Sequence, residues 1–151
     1  MANKKITKHV EKISEKVREK LTAYLNAWIN MDWVKMLAKS TLTFKSMNSP
    51  SYFDNWMGKT QLLSFVIIEV KGKKATPAMC DVVVRVEVSF EGNAEIREYP
   101  VRLVQELEPY RASINGVWGV NPPSSLRFLN PGHSYKVTTN GENKKKENKD
   151  A

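Results

Sequence analysis

The chain has 151 residues, 41% of them apolar, which is enough for one domain with a real core and too few for two. A net charge of +8 admits acidic partners such as nucleic acid, an anionic membrane or an acidic protein. The excess is unevenly spread: residues 1–20 carry seven basic and three acidic side chains, residues 142–151 carry four and three, and the large middle holds only +3.

A single cysteine, Cys80, excludes an intramolecular disulfide and any metal motif built on several cysteines. The first residues run into a charged segment with no apolar h-region. The longest apolar run, Leu62 to Val70, is too short to cross a bilayer as a helix. The expectation is a soluble, cytoplasmic protein with no membrane partner.

In chain order, Ile6, Val10, Ile13, Val17, Leu21, Tyr24, Leu25 and Trp28 recur in steps of three and four, so a long helix is predicted to about Asn30 with one apolar stripe. Its other face alternates Lys8, Lys12, Lys16 and Lys20 with Glu11, Glu15 and Glu19. Lys12/Glu15 and Lys16/Glu19 can pair at i,i+3, so this face reads as a solvated one and nucleic acid as a weakly supported partner. Asp32 is placed as the N-cap of a second helix with Trp33, Met36 and Leu37 on its apolar face. Leu42 to Lys45 reads as a short extended piece. Tyr52 to Gly58 reads as a helical turn with Phe53 and Trp56 facing inward.

Strands follow. Leu62 to Val70 is the first, and Met79 to Phe90 the second, with Cys80, Val82, Val84, Val86, Val88 and Phe90 on one face. Glu91 to Ala94 is predicted as a hairpin loop too short for a crossover, so the next strand, Glu95 to Leu107, pairs antiparallel. Tyr99, Val101, Leu103 and Leu107 share a face of that strand, and Pro100 marks an edge or a bulge. Val117 to Val120 is a last short strand, and Leu126 to Leu129 a strap. Residues 131–151 are rich in Asn, Gly, Lys, Glu and Thr and read as a disordered polar tail, leaving residues 1–130 as the domain.

The run Tyr24-Leu25-Asn26-Ala27-Trp28 with Met31-Asp32-Trp33, completed by Val101 to Glu106 and by Trp118-Gly119-Val120-Asn121-Pro122, resembles the NTF2-like superfamily, the cystatin-like cone. The resemblance covers about Ile6 to Ser125. It implies an α+β fold with N-terminal helices packed in the concave face of a curved antiparallel sheet, often with dimerisation through the outer face. Enzymes of that superfamily are isomerases, dehydratases and cyclases with Asp, His or Tyr inside the cone. This chain departs from them: its histidines are His9 and His133, and the valine face of the second strand carries no carboxylate.

The residue-level chemistry is sparse. Tyr24, Trp28, Trp56, Tyr99 and Trp118 are the candidates to line a pocket for a small apolar ligand, against the simpler reading that large aromatics pack a core. Among the strand carboxylates Glu69, Asp81, Glu87 and Glu106, Glu69 stands out because it shares a face with Phe65 and Ile67, near the strand's end. Cys80 reads as an inert core thiol. No phosphate loop, nucleophile elbow or metal-ligand spacing occurs, so no catalytic residue, metal or cofactor is expected.

One pattern points to assembly. Strict alternation in the first strand turns Leu63, Phe65 and Ile67 one way and Val66, Ile68 and Val70 the other, leaving both faces apolar. Either the Leu126 to Leu129 strap or a second subunit must cover the Val66, Ile68 and Val70 row. The expectation is a homodimeric, non-enzymatic binding or assembly domain. The alternatives are a small-molecule enzyme using the cone and a nucleic-acid-associated or mobile-element accessory protein using the basic helix. Removing residues 131–151 is expected to leave the melting temperature in scanning calorimetry unchanged, because that segment has too little apolar surface to offset its ordering entropy; a clear fall would show that it packs.

Overall fold

The computed structural model describes residues 2–72 and 77–129, with side chains from residue 14 onward. The tail expected at 131–151 lies outside these residues, and His133 with it.

The long helix α1 runs Ala2–Ile29. Its described stripe, Val17, Leu21, Tyr24, Leu25 and Trp28, is fully buried. Steps of three and four keep these side chains on one face, and that face lies against a sheet. Met31 turns the chain at φ 53°, and Asp32 caps α2, Trp33–Ala38, by accepting from the Lys35 amide at 3.1 Å.

The piece expected to be extended at Leu42 is instead a helix, α3, Leu42–Met47. Two side chains satisfy its free amides: the Thr41 hydroxyl accepts from Phe44 N at 3.2 Å, and the Glu106 carboxylate from Thr43 N at 3.2 Å. The extended backbone comes just before it, where Ser40 bridges Val120 in parallel and the Thr41 amide donates to the Val120 carbonyl at 2.9 Å. The next helix, α4, spans Ser51–Met57 and buries Phe53 and Met57, four apart, rather than Phe53 and Trp56. Trp56, expected to face inward, is 58% exposed. A spacing of three and a spacing of four both suit a helix face, and here Met57 took the inner position.

Five strands form one curved antiparallel sheet. They are β1 (Thr60–Gly72), β2 (Met79–Phe90), β3 (Asn93–Leu107), β4 (Arg111–Ala112) and β5 (Val117–Val120). The fold class is α+β as expected, with the helices first and the sheet after. The hairpin between β2 and β3 is tighter than predicted: Phe90 pairs with Asn93, and only Glu91 and Gly92 turn, at φ 51° and 86°. Positive φ at both positions matches the twist of the flanking strands, and glycine adopts it without a Cβ penalty.

The first strand departs from strict alternation. Its register with β2 shifts between Leu62 and Ser64 and again between Ile67 and Glu69. Each β-bulge adds one residue and reverses the phase. Leu62, Phe65, Ile67 and Val70 therefore all stand opposite inward valines, Val88, Val86, Val84 and Val82. Val70, predicted to lie in an outer row, packs against the core, while Leu63, predicted inward, is exposed. Glu69 is moved away from Phe65 and Ile67 to the outer face opposite Val83.

The chain closes on itself beyond β3. Gln105 donates its amide to Ala78 O and accepts at its carbonyl from Ser113 N, so β4 prolongs the edge that β2 occupies. The chain then crosses β3 to reach the opposite edge, where β5 pairs with Leu103 to Glu106. Gly116 makes the crossing: a Cβ there would lie 2.2 Å from the Glu106 backbone. The strap follows as α5, Pro122–Ser125, and a 3-10 turn, Leu126–Leu129. Asn121 N donates to Arg102 O at 2.8 Å, and Arg102 N donates to Ser124 Oγ at 2.9 Å. These bonds line the strap along the free edge of β3. Pro100, two residues before Arg102, turns its donorless nitrogen to that same edge, where no strand needs it.

Gly116→Ala is expected to lower stability by at least about 2 kcal/mol, because backbone rather than a movable side chain occupies the space. Urea unfolding measures this; a loss below about 0.5 kcal/mol, the usual range for a surface substitution, would contradict the crossing.

Candidate functional site

The concave side of the sheet is the natural place for a pocket, and it is occupied by the chain's own side chains. Tyr24, Trp28, Phe53, Val84, Val86 and Phe128 all have zero exposure. Trp28 donates its indole N–H to the Thr60 carbonyl at 3.0 Å, and the Tyr24 and Ser125 hydroxyls bond at 2.9 Å. Ser125 Oγ lies 2.7 Å from the Pro122 carbonyl as well. Burial pushes the Tyr24 phenol well above its ordinary range, and the Ser125 bond offsets only part of that. Phe128 enters from the strap and meets the Tyr99 ring edge-on at 5.6 Å.

Of the five predicted pocket residues, Tyr24 and Trp28 are thus core, Tyr99 packs partly buried under Phe128, and Trp118 is buried at the β5 edge. Trp56 lies outside, its ring 6.4 Å from that of Tyr52. The five do not converge on one space.

Arg97 is the residue that alternation should have flagged. It lies two before Tyr99 and so shares its inward face, opposite Val86. Its side chain is fully buried. The guanidinium stacks 4.0 Å from the Phe90 ring centroid, and Nη1 donates to the Phe128 carbonyl at 2.6 Å. Nη2 lies 3.0 Å from Glu95 Oε1 without hydrogen-bond alignment. Nε and the Tyr99 hydroxyl have no hydrogen-bond partner among the described residues. An aromatic face, a carbonyl and a nearby carboxylate together compensate a buried cation.

Several strand carboxylates have structural partners. Asp81 accepts from Arg102 Nε at 3.0 Å, which raises the Arg102 pKa further. Glu98 accepts from Arg85 Nε at 3.2 Å. Glu106 is buried and takes the Thr43 amide and hydroxyl. Glu69 is exposed beside Lys71 at 4.0 Å. The Cys80 thiol is buried and pushed up to about 11, by desolvation first and the Asp81 charge second, so it carries little thiolate at neutral pH. Among the described residues no three His, Cys, Asp or Glu side chains gather as a metal set.

Two open grooves lie on the helical surface, and a third, about 330 Å³, lies at the β3 edge beside the strap, past Asp81, Arg102, Ser124 and Arg127. One groove, about 500 Å³, runs between α1 and α2 past Arg18, Thr22, Asn26, Asn30, Asp32 and Lys35. A second, about 410 Å³, lies between α1 and the β5 edge, with Lys16, Lys20 and Lys39 around Gln105 and Trp118. Glu19 lines both, so the two abut. Burial lowers the Lys20 pKa, and the like charges of Lys39 and Lys45 lower it further. The Lys16 and Glu19 side chains expected to pair form no ion pair with one another. Lys39 carried no signal in the helical stripe, because it reaches the site from a different element.

No family model, curated protein or solved structure matches this chain.

A lysine whose folded pKa lies below its unfolded value of 10.5 binds fewer protons folded than unfolded. It therefore weakens the fold at neutral pH, and the penalty fades as pH rises through the lowered value toward 10.5. Lys20→Gln is expected to raise the melting temperature at pH 7 in low salt, with the gain shrinking at alkaline pH and in high salt. A lower melting temperature at pH 7 would show that Lys20 is held by an attractive partner.

Proposed function

We propose that the chain is a non-enzymatic binding or assembly domain of the NTF2-like kind that dimerises through the outer face of its sheet. The observation that carries this reading is the solid packing of the concave side, where Tyr24, Trp28, Phe53, Val84, Val86 and Phe128 leave the work to the exterior. A pocket enzyme of this architecture needs an acid or base aimed into an open, apolar cone. Among the described residues the buried charged groups are Arg97, fixed between Phe90 and Phe128, and Glu106, held by the Thr43 amide and hydroxyl. An arginine does not lose its proton in the working pH range.

The outer face has the features an interface needs. The strap that was one candidate to cover it runs along the β3 edge and the concave side instead. Val66 stays 58% exposed and Ile68 42%, and Leu63 and Ile96 are exposed as well. In register, Val66 adjoins the Arg85–Glu98 ion pair across β2 and β3, and Ile96 lies in the next row beside Glu87. Apolar side chains around a charge pair of both signs are self-complementary under a two-fold axis, since the same patch supplies both halves. Water contact with such a row is unfavourable by about 25 cal/mol per Å² of apolar area. Val70, once counted with this row, takes no part.

Sedimentation velocity at high micromolar concentration is expected to give a dimer. Val66→Lys is expected to give a monomer with an unchanged melting temperature, because it puts an unpaired charge in the interface while leaving the core intact. A wild-type protein that is monomeric under these conditions would remove the dimer from the proposal. Catalytic turnover of small ketones lost on substituting a side chain of the concave face would remove the non-enzymatic part.

A further inference from the structure

We propose that the trough along the solvent side of α1 binds the phosphate backbone of a single-stranded nucleic acid. The site lies on the helical side of the sheet, so it does not rest on dimerisation through β1.

The two grooves meet at Glu19 and follow α1 from Lys16 to Asn30. At about 1.5 Å rise per residue this is a track of roughly 21 Å. A single strand of a few nucleotides fits along that length. A linear track suits a linear ligand better than a compact one.

Charge follows the same line. Lys16, Lys20 and Lys39 surround one half, and Arg18 and Lys35 border the other, against the carboxylates of Glu19 and Asp32. Asp32 is committed to capping α2 through Lys35 N. Among the described residues none of Lys16, Lys20 and Lys39 has a carboxylate within ion-pair distance. The fold thus holds three ammonium groups in one groove, with the Glu19 carboxylate among them but paired with none at ion-pair distance. Lys20 registers the result: burial, then Lys39 and Lys45, makes its charged form costly. Bound phosphates would reverse that cost, and the release of their counterions would drive binding.

Recognition would be of backbone rather than base. Thr22, Asn26 and Asn30 offer hydrogen-bonding groups along the track. Trp118, the aromatic ring at the groove, is buried and presents no open face for stacking. Contacts of this kind position a strand without reading its sequence.

The test uses fluorescence anisotropy with a short labelled single-stranded DNA of mixed sequence. Three phosphate contacts predict that log affinity falls with log salt at a slope near −2, from about −0.7 per contact for single strands. The double variant Lys20→Glu, Lys39→Glu should bind at least about tenfold more weakly and with a flatter slope, while Lys71→Glu, on β1, should bind as the wild type does. If the glutamate pair fails to fold, Lys20→Gln with Lys39→Gln should show the same loss in smaller measure. Absence of binding in low salt would overturn the proposal, as would undiminished binding by both double variants, which would put the contact elsewhere on the chain. Inorganic pyrophosphate bound as tightly as the oligonucleotide would overturn the polymer and leave a small-anion site. Binding to anionic lipid vesicles without binding to the oligonucleotide would overturn it in favour of a membrane surface. Because the wild-type dimer is measured separately by sedimentation, failure here leaves the assembly reading standing, and the reverse.

Discussion

The burial of one face of α1 in the hollow of the sheet is the contact on which the remaining structure depends. Val17, Leu21, Tyr24, Leu25 and Trp28 are removed from water along that line, each contributing about 1.5–3 kcal/mol if its side chain was fully exposed before. The same side chains fix their neighbours. Trp28 reaches the first residue of β1 through its indole hydrogen bond, and Tyr24 reaches the strap through Ser125. Helix, first strand and strap are therefore tied to one rod. The described part of the hollow is filled in this way by the chain's own side chains.

The sequence revealed what depends on local period. The stripe of α1, the Asp32 cap, the alternating valines of β2 and its antiparallel pairing with β3 were all readable, because each follows from side-chain spacing alone. What it concealed depends on a neighbour. The two bulges in β1 reverse the phase twice within thirteen residues, and nothing in the Leu62 to Val70 run distinguishes a bulged strand from a regular one. Their effect is to place four apolar side chains opposite four valines, so the partner strand dictates the outcome. Trp56 and Met57 competed for one inner position in α4. Leu42 joined a helix because a carboxylate 63 residues away accepts its neighbour's amide. Arg97 has a legible position, on the Tyr99 face, but its charge argues against burial, and only Phe90 and the Phe128 carbonyl, from distant parts of the chain, make that burial possible.

The same division holds for the candidate site. A pocket of five aromatics was a natural reading of the sequence, yet three of them, Tyr24, Trp28 and Trp118, are core, one is packed under the strap and one is outside. The lysine cluster could not be read from α1 alone, since Lys39 and Lys45 come from α2's end and α3. Like charges brought together by tertiary structure weaken the fold, and a fold tolerates such a cluster most readily where a ligand of opposite sign relieves it. That connects a small cost in stability to the polar grooves along α1.

The central claim is that the hollow is closed, and the indole N–H of Trp28 reports on it directly. By hydrogen exchange followed in NMR spectra, this proton should exchange only through global unfolding, with a protection free energy equal to the stability from urea unfolding, while the indole of the exposed Trp56 exchanges freely. Exchange of Trp28 at a rate close to that of Trp56, in a protein whose core amides remain protected, would mean that water enters the hollow. The account of a filled concave face and an exterior function would then be contradicted.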